Sequence, residues 1–461
     1  MHMSKGMAEE LAKKQKEISV SEFFEKNKHI LGFGSSTRAI LTSIKEAVDN
    51  SLDACEEAGI LPEIKVELTE VETGEFKVVV EDNGPGIVKR QIPNVFGKLL
   101  YGSRFHSIRQ SRGQQGIGIS AVVMYGQITT GRPTLVISKT LAADVASKVV
   151  LQIHTKKNKP DVLESDFVSW EKEHGTLIEF FIKARYHKGK ASVSEYLKGT
   201  AIVNPHAKIC FKGPDGEELH IERVSIQPPP KTNEIKPHPK GLELGQLMAM
   251  AKNTKARRIK AFLHTEFCRI SYRVADEILE KANIPESRSP KRMSLEESKA
   301  LLKAIQNTKI MAPPTDCLSP IGEVLIKKGL KNVLGTLKPE YYVPPVTRNP
   351  QVYQGNPFQV EVGMVFGGDL PKDGQVDILR FGNRVPLLYQ QGACVTTKAI
   401  QDIDWRRYGL EQRGGKGIPY GPALILVHVA STKIPFTSEA KEAIADIDII
   451  HQEIGLALRD V

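Results

Sequence analysis

The sequence lacks several features that would mark a membrane, secreted or disulfide-bonded protein. It has no run of about 18 uninterrupted apolar residues, so no transmembrane helix is expected. Its first residues, Met-His-Met-Ser-Lys-Gly, do not form the apolar core of a signal peptide. Its 5 cysteines are scattered without paired spacing, which indicates a reducing compartment and argues against a zinc site. We therefore expect a cytoplasmic protein that does not contact a membrane.

Two common nucleotide-binding signatures are also missing. The chain contains neither a Walker A sequence nor the strand-first Gly-x-Gly-x-x-Gly of dinucleotide-binding folds. What it does have is size: 461 residues with 40% hydrophobic composition suffice for roughly two to four packed domains. The formal net charge of +10 is compatible with a polyanionic partner, although many basic proteins bind none.

The first half of the chain has the periodicity of an α+β layer. A helix is predicted over residues 38–58, and two strands, 63–69 and 76–81, flank a turn. Further strands are predicted at 134–139, 148–154 and 176–183. A polar helical arm at residues 8–30 precedes them.

The second half begins after a Pro-rich linker, residues 227–239. Residues 241–306 predict four helices, the last of which opens with the capping-box spacing of Ser294 and Glu297. A second Pro-rich region leads into strands, and a helix from Ser438 to Leu458 ends the chain. These strands are predicted at 358–366, 376–381, 385–389 and 423–430.

The helix at 38–58 has a polar stripe. Glu46 and Asn50 stand four residues apart and therefore share one face, which Asp53 continues. A carboxylate can take a proton from water, and an amide oxygen can bind a hard cation. An ordinary solvated face is the alternative, and for Asp53 we expect a structural role. The apolar residues take the opposite side: Ile40, Ile44, Val48, Leu52 and Cys55.

Two glycine-containing segments could hold a nucleotide. Asp82 ends an apolar strand before Gly84 and Gly86, where a carboxylate could accept a hydrogen bond from an exocyclic amine such as that of adenine. The glycine loop, residues 113–118, directly precedes a helix whose positive end would suit phosphates. A plain turn and a flexible surface loop are the respective alternatives.

The order of these signals resembles the Bergerat ATP-binding fold shared by gyrase, Hsp90, histidine kinases and MutL. The resemblance implies ATP and Mg²⁺ as cofactors, with Glu46 as the general base, Asn50 as the magnesium ligand and Asp82 as the reader of adenine. Thr176, after Gly175, belongs to the same pattern. The implied lid over the phosphates comprises Gly113, Gln114, Gln115, Gly116, Ile117, Gly118, Ile119 and Ser120.

The segments 96–104 and 429–436 are similar to the B subunit of type IIB DNA topoisomerase, the topoisomerase VI family, and so is the four-helix block. The likeness covers nearly the whole chain. The implied α+β fold has a Bergerat ATP-binding sandwich, an inserted helix-two-turns-helix domain, and a transducer domain of ribosomal protein S5-like α/β fold with a long C-terminal helix. The implied division is an N-terminal arm or strap at 1–30, an ATPase domain at 31–227, a helix-two-turns-helix domain at 228–312 and a transducer domain at 313–461.

The resemblance also implies a function. Lys433, on a transducer loop, would reach the γ-phosphate, and Ser103 and Arg104 would line the nucleotide pocket; an exposed loop lysine is the alternative for Lys433. ATP would drive self-dimerisation, and the dimer would capture a DNA duplex. The duplex would pass through a double-strand break made by the A subunit within an A2B2 heterotetramer, which relaxes supercoils and decatenates DNA. The expected setting is a prokaryotic, archaeal cytoplasm.

Two other functions stay open. A MutL-type mismatch-repair ATPase would share the pocket but lacks the insert at 241–306. A nucleotide-gated DNA clamp would show little or no ATP turnover. Since the sequence shows no cluster of acids like a toprim centre, we expect that the chain does not cleave DNA alone.

Three basic groups are candidates for contact with double-stranded DNA, because each neutralised phosphate releases counterions. A solvated face is the alternative for each group. The candidates are Lys183, Arg185, Lys188 and Lys190, then Lys252, Lys255, Arg257, Arg258 and Lys260, and finally Trp405, Arg406 and Arg407 beside Tyr408.

Overall fold

The computed structural model describes residues 11–13, 15–102, 107–113, 116–334, 337–438 and 440–461. The α-helices in these ranges are α1 (Val20–Lys26), α2 (Ser36–Ala58), α3 (Ile92–Gly97), α4 (Gly118–Thr130), α5 (Val193–Val203), α6 (Leu244–Asn253), α7 (Ile259–Glu266), α8 (Tyr272–Ala282), α9 (Leu295–Gln306), α10 (Glu323–Val333), α11 (Val395–Gln401) and α12 (Asp448–Asp460). The strands are β1 (Glu63–Glu72), β2 (Glu75–Asp82), β3 (Thr134–Lys139), β4 (Ala146–His154), β5 (Lys159–Val168), β6 (Gly175–Lys183), β7 (Lys208–Lys212), β8 (Glu218–Ile221), β9 (Tyr341–Thr347), β10 (Gln351–Tyr353), β11 (Asn356–Phe366), β12 (Asp377–Gly382), β13 (Val385–Pro386) and β14 (Ala423–Ser431). None of the helices so described is long and apolar enough to cross a membrane.

The chain divides into two compact units. Unit 1 comprises Met1–Phe105, Gly113–Ser194 and Ile209–His220, whereas unit 2 comprises His106–Arg112, Glu195–Lys208 and Ile221–Val461. The finer division into four segments stays a prediction.

An eight-stranded sheet, in the order β5-β4-β3-β6-β2-β1-β7-β8, forms the framework of unit 1. The predicted hairpin is confirmed: β1 and β2 pair antiparallel, with Ile64 opposite Asp82. Helices α2 and α4 pack against each other and against β6, and α2 also contacts β2. Strand β5 was not predicted, because this edge strand is exposed along most of its length and shows no alternation of buried and exposed residues.

Helix α2 follows the predicted helix closely. The Ser35 side chain accepts a hydrogen bond from the Arg38 N–H, and Gly59 ends the helix in the left-handed region with φ 73°. The five apolar residues predicted to face the core are all at most 1% exposed: Ile40, Ile44, Val48, Leu52 and Cys55. Their burial turns the polar stripe toward the opposite side.

Unit 2 contains a six-stranded sheet in the order β10-β11-β14-β12-β13, with β9 paired to β11. Both faces of this sheet are covered, and every residue of β14 is buried. Helix α10 and the end of α5 pack on one face through Ile202, Ile326 and Leu330. Helices α11 and α12 pack on the other face.

The four helices predicted within residues 241–306 are confirmed as α6 to α9. They enclose their own apolar core, which includes Leu247, Phe262, Ile278 and Leu301. The capping box at the start of α9 is also confirmed: the Glu297 N–H donates to Ser294 Oγ, and the Ser294 N–H donates to Glu297 Oε2.

The prediction for the C-terminal helix is wrong in extent. Helix α12 begins at Asp448, ten residues after the predicted start, and spans 13 residues. Backbone groups before α12 form non-helical hydrogen bonds: the Ala445 N–H donates to the Pro435 carbonyl, and the Thr437 N–H donates to the Ala443 carbonyl. These bonds hold the segment as a closed loop instead of a helix.

Two further expectations need correction. The arm at 8–30 is not one continuous helix, because residues 15–19 are non-helical and Ser19, whose hydroxyl donates to the Thr155 carbonyl, starts the helix α1. The Pro-rich region at 339–357 contains strands β9 and β10. Helices α3, α5, α10 and α11 lie in segments for which no helix was predicted.

Ser294→Ala should weaken the start of α9 by about 1 kcal/mol, because it removes the capping hydroxyl. Native-state hydrogen exchange at the Glu297 amide should quicken about fivefold. Ser289→Ala is the matched control, since Ser289 precedes a short 3-10 helix without a side-chain capping bond. Equal exchange in the two variants would show that the capping box contributes nothing measurable.

Candidate active site

The polar stripe of α2, together with Asp49 to one side of it, presents four side chains with different exposure. Glu46 is half-buried and Asn50 is exposed. Asp49 and Asp53 are only 4% and 6% exposed. Of the four, therefore, Glu46 and Asn50 are accessible to a bound molecule, as the sequence predicted.

Asp82 lies at the end of β2 and receives three hydrogen bonds. Its Oδ1 accepts from the Gly84 N–H at 2.8 Å and the Thr176 N–H at 3.1 Å. Its Oδ2 accepts from the Ser51 hydroxyl at 2.8 Å. Because Ser51 belongs to α2, this carboxylate joins the helix of Glu46 to two strands. Ser51 was not among the predicted site residues, although the pair Asn50-Ser51 in a helix interior, where both are poor helix formers, could have indicated it.

Burial raises the pKa of Asp82, while the bonds from Gly84, Ser51 and Thr176 act in the opposite direction. The Oδ2 atom has only one of these donors, so it retains capacity to accept another hydrogen bond. Gly175, at φ 140°, permits the close approach, since a Cβ there would overlap the Asp82 carbonyl oxygen. The arrangement is suited to an exocyclic amine, which agrees with the predicted adenine contact.

The two ends of the glycine loop contact the α2 stripe. The Gly113 N–H donates to Asp53 Oδ2 at 3.2 Å. At the other end, a Cβ on Gly118 would overlap Glu46 Oε2. Asp53 thus has the expected structural role, which is to hold the start of the loop, and the Glu46 carboxylate lies directly at the start of α4.

The start of α4 has the backbone donors that a phosphate chain requires. Its N-cap residue, Ile117, makes no side-chain capping bond. The first N–H groups of a helix have no intrahelical acceptor, and the helix dipole is positive there. Ser120 is buried and its hydroxyl donates to the Ile117 carbonyl at 3.1 Å, so only its backbone N–H remains for a phosphate. Phosphates at this place would lie beside Glu46.

Some of the predicted site residues lie either outside the described ranges or in unit 2. Ser103, Arg104, Gln114 and Gln115 lie outside the described residues. Lys433 belongs to unit 2, where it is exposed on the loop after β14. Its backbone N–H donates to Ser431 Oγ at 3.1 Å. Its role at the γ-phosphate stays a prediction.

The predicted DNA contacts are only partly available. The prediction that Trp405 contacts DNA is wrong, because Trp405 is 2% exposed and its indole N–H donates to the Ile400 carbonyl. Arg406 is exposed but pairs with Asp404 through two hydrogen bonds of 2.7 and 2.9 Å.

Two of the predicted lysines also have acidic partners. Lys260 pairs with Asp276 and Glu286, and Lys188 pairs with Asp215. The remaining candidates are exposed and stay predictions: Lys183, Arg185, Lys190, Lys252, Lys255, Arg257, Arg258 and Arg407.

Two models of known protein families match most of the chain. A family model described as Histidine kinase-, DNA gyrase B-, and HSP90-like ATPase matches residues 36–186. A second, described as Topoisomerase VI B subunit, transducer, matches residues 313–461. The predicted α+β class with an ATP-binding domain and a transducer domain is therefore confirmed.

Several curated proteins are similar over nearly the full length. The B subunit of type 2 DNA topoisomerase 6 from Methanosarcina barkeri is 54% identical over 456 residues, which are 99% of this chain and 73% of that protein. The protein of the same name from Archaeoglobus fulgidus is 53% identical over 449 residues, or 97% of this chain and 73% of that protein. The one from Natronomonas pharaonis is 36% identical, covering 98% and 79%.

Gly118→Ala should lower kcat for ATP hydrolysis by roughly 100-fold, because the new methyl group displaces the Glu46 carboxylate by about an ångström. Nucleotide affinity should change much less. Gly245→Ala is the control, since Gly245 is also helical and a Cβ there meets open space. An unchanged kcat in Gly118→Ala, measured by phosphate release, would contradict the placement of Glu46.

Asp82→Asn should reduce nucleotide affinity at least tenfold, since the amide NH₂ replaces the acceptor Oδ2. The fold should tolerate the substitution, because the amide oxygen can accept from the Gly84 and Thr176 N–H groups while the Ser51 hydroxyl rotates to accept from the new NH₂.

The Asp82→Asn variant should also be more stable than wild type at neutral pH. A raised native pKa makes wild type lose stability as pH rises from the ordinary value of 3.8 through the raised value, and asparagine does not titrate. Calorimetry should therefore find a higher Tm for Asp82→Asn at pH 7 and no such gain at pH 3; a Tm below wild type at pH 7 would contradict this.

Proposed function

This chain belongs to the family of type 2 DNA topoisomerase 6 B subunits and acts as the ATPase subunit of an ATP-driven type IIB topoisomerase, and we propose that α2, Asp82 and the glycine loop together hydrolyse the ATP. The chain spans about three quarters of the length of the archaeal relatives described above, and the ATPase and transducer segments both lie inside that span.

The observation that carries the proposal is the position of the Glu46 carboxylate against Gly118. There, Glu46 can accept a proton from a water molecule that attacks a γ-phosphate held at the start of α4. The water oxygen bonds to phosphorus as the bond from phosphorus to the bridging oxygen breaks, which releases ADP and phosphate. Asp82 holds the adenine, and the Gly113–Ser120 lid covers the phosphates.

Mg²⁺ is part of this proposal. Among the described residues, no group of three or more His, Cys, Asp and Glu side chains could hold a metal ion. Mg²⁺ in ATPases is usually held by one or two protein groups together with the substrate phosphates, so a single exposed amide, Asn50, fits the ion. When bound, the ion would neutralise charge on the phosphates.

The partners follow from the family. Because relatives are named as the B subunit of a DNA topoisomerase, we propose a DNA-cutting A subunit and double-stranded DNA as partners. The finer proposal is that ATP-bound copies dimerise around a duplex within an A2B2 heterotetramer, with Lys433 reporting the γ-phosphate. A cytoplasmic location is part of the same proposal. The mismatch-repair alternative is not favoured, since the relatives are topoisomerase subunits and the four-helix block is present.

Glu46→Ala tests hydrolysis against the clamp alternative. The variant should bind a non-hydrolysable ATP analogue and dimerise as wild type does, while its ATP turnover falls at least 100-fold. Glu57→Ala, an exposed position on the same helix, is the control. If wild type turns over ATP no faster than Glu46→Ala, the clamp alternative holds instead.

A DNA relaxation assay tests the need for a partner. With the A subunit and supercoiled plasmid, only variants that hydrolyse ATP should relax DNA repeatedly. Relaxation by this chain alone would refute the need for a partner.

A further inference from the structure

The segment that leads into the glycine loop, residues 107–112, is anchored in unit 2. The Gln110 side chain accepts from the Ser319 N–H at 2.7 Å and donates to the Ser319 carbonyl at 3.1 Å. The Gln110 N–H donates to the Cys317 carbonyl, and Ile108 pairs with Ile235 in an isolated β-bridge. The next residue of the chain after this segment is Gly113, which belongs to unit 1.

The last two carbonyls of the segment are bound by side chains from elsewhere in unit 2. The Asn383 amide donates to the Ser111 carbonyl at 3.1 Å. The same amide forms two hydrogen bonds with the backbone of Ser431, of 2.8 and 2.9 Å. The Lys441 ammonium donates to the Arg112 carbonyl at 2.9 Å.

Lys441 is in a costly position for a lysine. It is 8% exposed, and its φ of 53° lies in the left-handed region that few non-glycine residues adopt. Among the described residues, the Arg112 carbonyl is the acceptor recorded for its ammonium, and no acidic partner is recorded. A buried charge and a strained backbone persist only where the surroundings hold them, and they concentrate at functional positions.

The two bridges connect the segment to the two ends of one loop: Asn383, between β12 and β13, bonds to Ser431 at one end, and Lys441 is the other end. Ser431 and Lys441 delimit this loop, and Lys433 lies inside it. We propose that Asn383 and Lys441 are positioning residues that couple the 431–441 loop to the start of the glycine loop at Gly113. The idea rests on the proposed role of Lys433 as the residue that meets the γ-phosphate. A movement of the 431–441 loop then acts, through these two bridges, on the carbonyls of Ser111 and Arg112.

Hydrogen exchange without nucleotide tests the anchoring directly. In Lys441→Met, the hydrogen-bonded amides of Gln110 and Gly113 should exchange about tenfold faster than in wild type, because a bond from a charged donor is lost. Lys398→Met is the matched control, since Lys398 pairs with Asp446 and bonds to no residue of segment 107–112. The amides of β14 should remain protected in both, which shows that the fold is intact. Unchanged exchange at Gln110 and Gly113 would overturn the proposal.

A second variant guards against misfolding of the first. Asn383→Gly suits the left-handed φ of 49° at this position and removes only the side-chain bridge. It should likewise speed exchange at Gln110 and Gly113 by several fold. Normal protection there, with intact β14 amides, would count against the bridge.

ATPase kinetics distinguish a coupling role of Lys441 from a purely structural one. Lys441→Met should lower kcat for ATP about tenfold with KM nearly unchanged, and its effect should be non-additive with Lys433→Ala. Additive losses would mean that Lys441 only supports the structure. If wild type itself does not hydrolyse ATP, the proposed function fails, whereas the exchange experiment still decides whether Lys441 holds the start of the glycine loop.

Discussion

The buried carboxylate of Asp82 is the group on which the geometry of the candidate nucleotide site depends. It accepts hydrogen bonds from Ser51 on α2, from Gly84 after β2 and from Thr176 at the start of β6. One side chain therefore fixes helix α2 against the sheet of unit 1. The cost of this arrangement is visible in the raised pKa of Asp82, which burial causes. A neutral residue at this position would avoid the cost of burying a charge.

Unit 2 uses a second buried carboxylate in a comparable way. Glu361 accepts hydrogen bonds from the Ile321 and Gly322 N–H groups before α10, and from His428 on β14. Burial alone would raise the pKa of Glu361, but these donors outweigh it and lower the pKa. His428 Nε2 in turn accepts from the Arg384 N–H, and Arg384 contacts Ser319, to which Gln110 is bound. The polar interior of unit 2 thus reaches the segment that leads into the glycine loop.

Several segments with a local pattern were predicted correctly, although helix α10 was missed, and segments defined by long-range pairing were not predicted. The polar stripe of α2 followed from residue spacing, because helical geometry places Glu46 and Asn50 on one face. The capping box of α9 was likewise local. The start of α12 was misplaced because the bonds that close residues 435–445 into a loop join backbone groups up to ten residues apart. Strand β5 has no apolar alternation, since it lies at the edge of its sheet and, among the described strands, pairs with β4 alone.

The sequence by itself was enough to predict the family, which the relatives confirm, and to propose the residues of the nucleotide site and their order along the chain. Those conclusions need only residue spacing and motif order, which can be read from the sequence without knowledge of the fold. Tertiary structure alone decided which of them meet: Glu46 with Gly118, Asp53 with Gly113, and Ser51 with Asp82. It also removed Trp405 from the surface, and it brought Lys441 to Arg112 across 329 positions of chain. Such contacts depend on how the chain packs over its whole length, which no local pattern records.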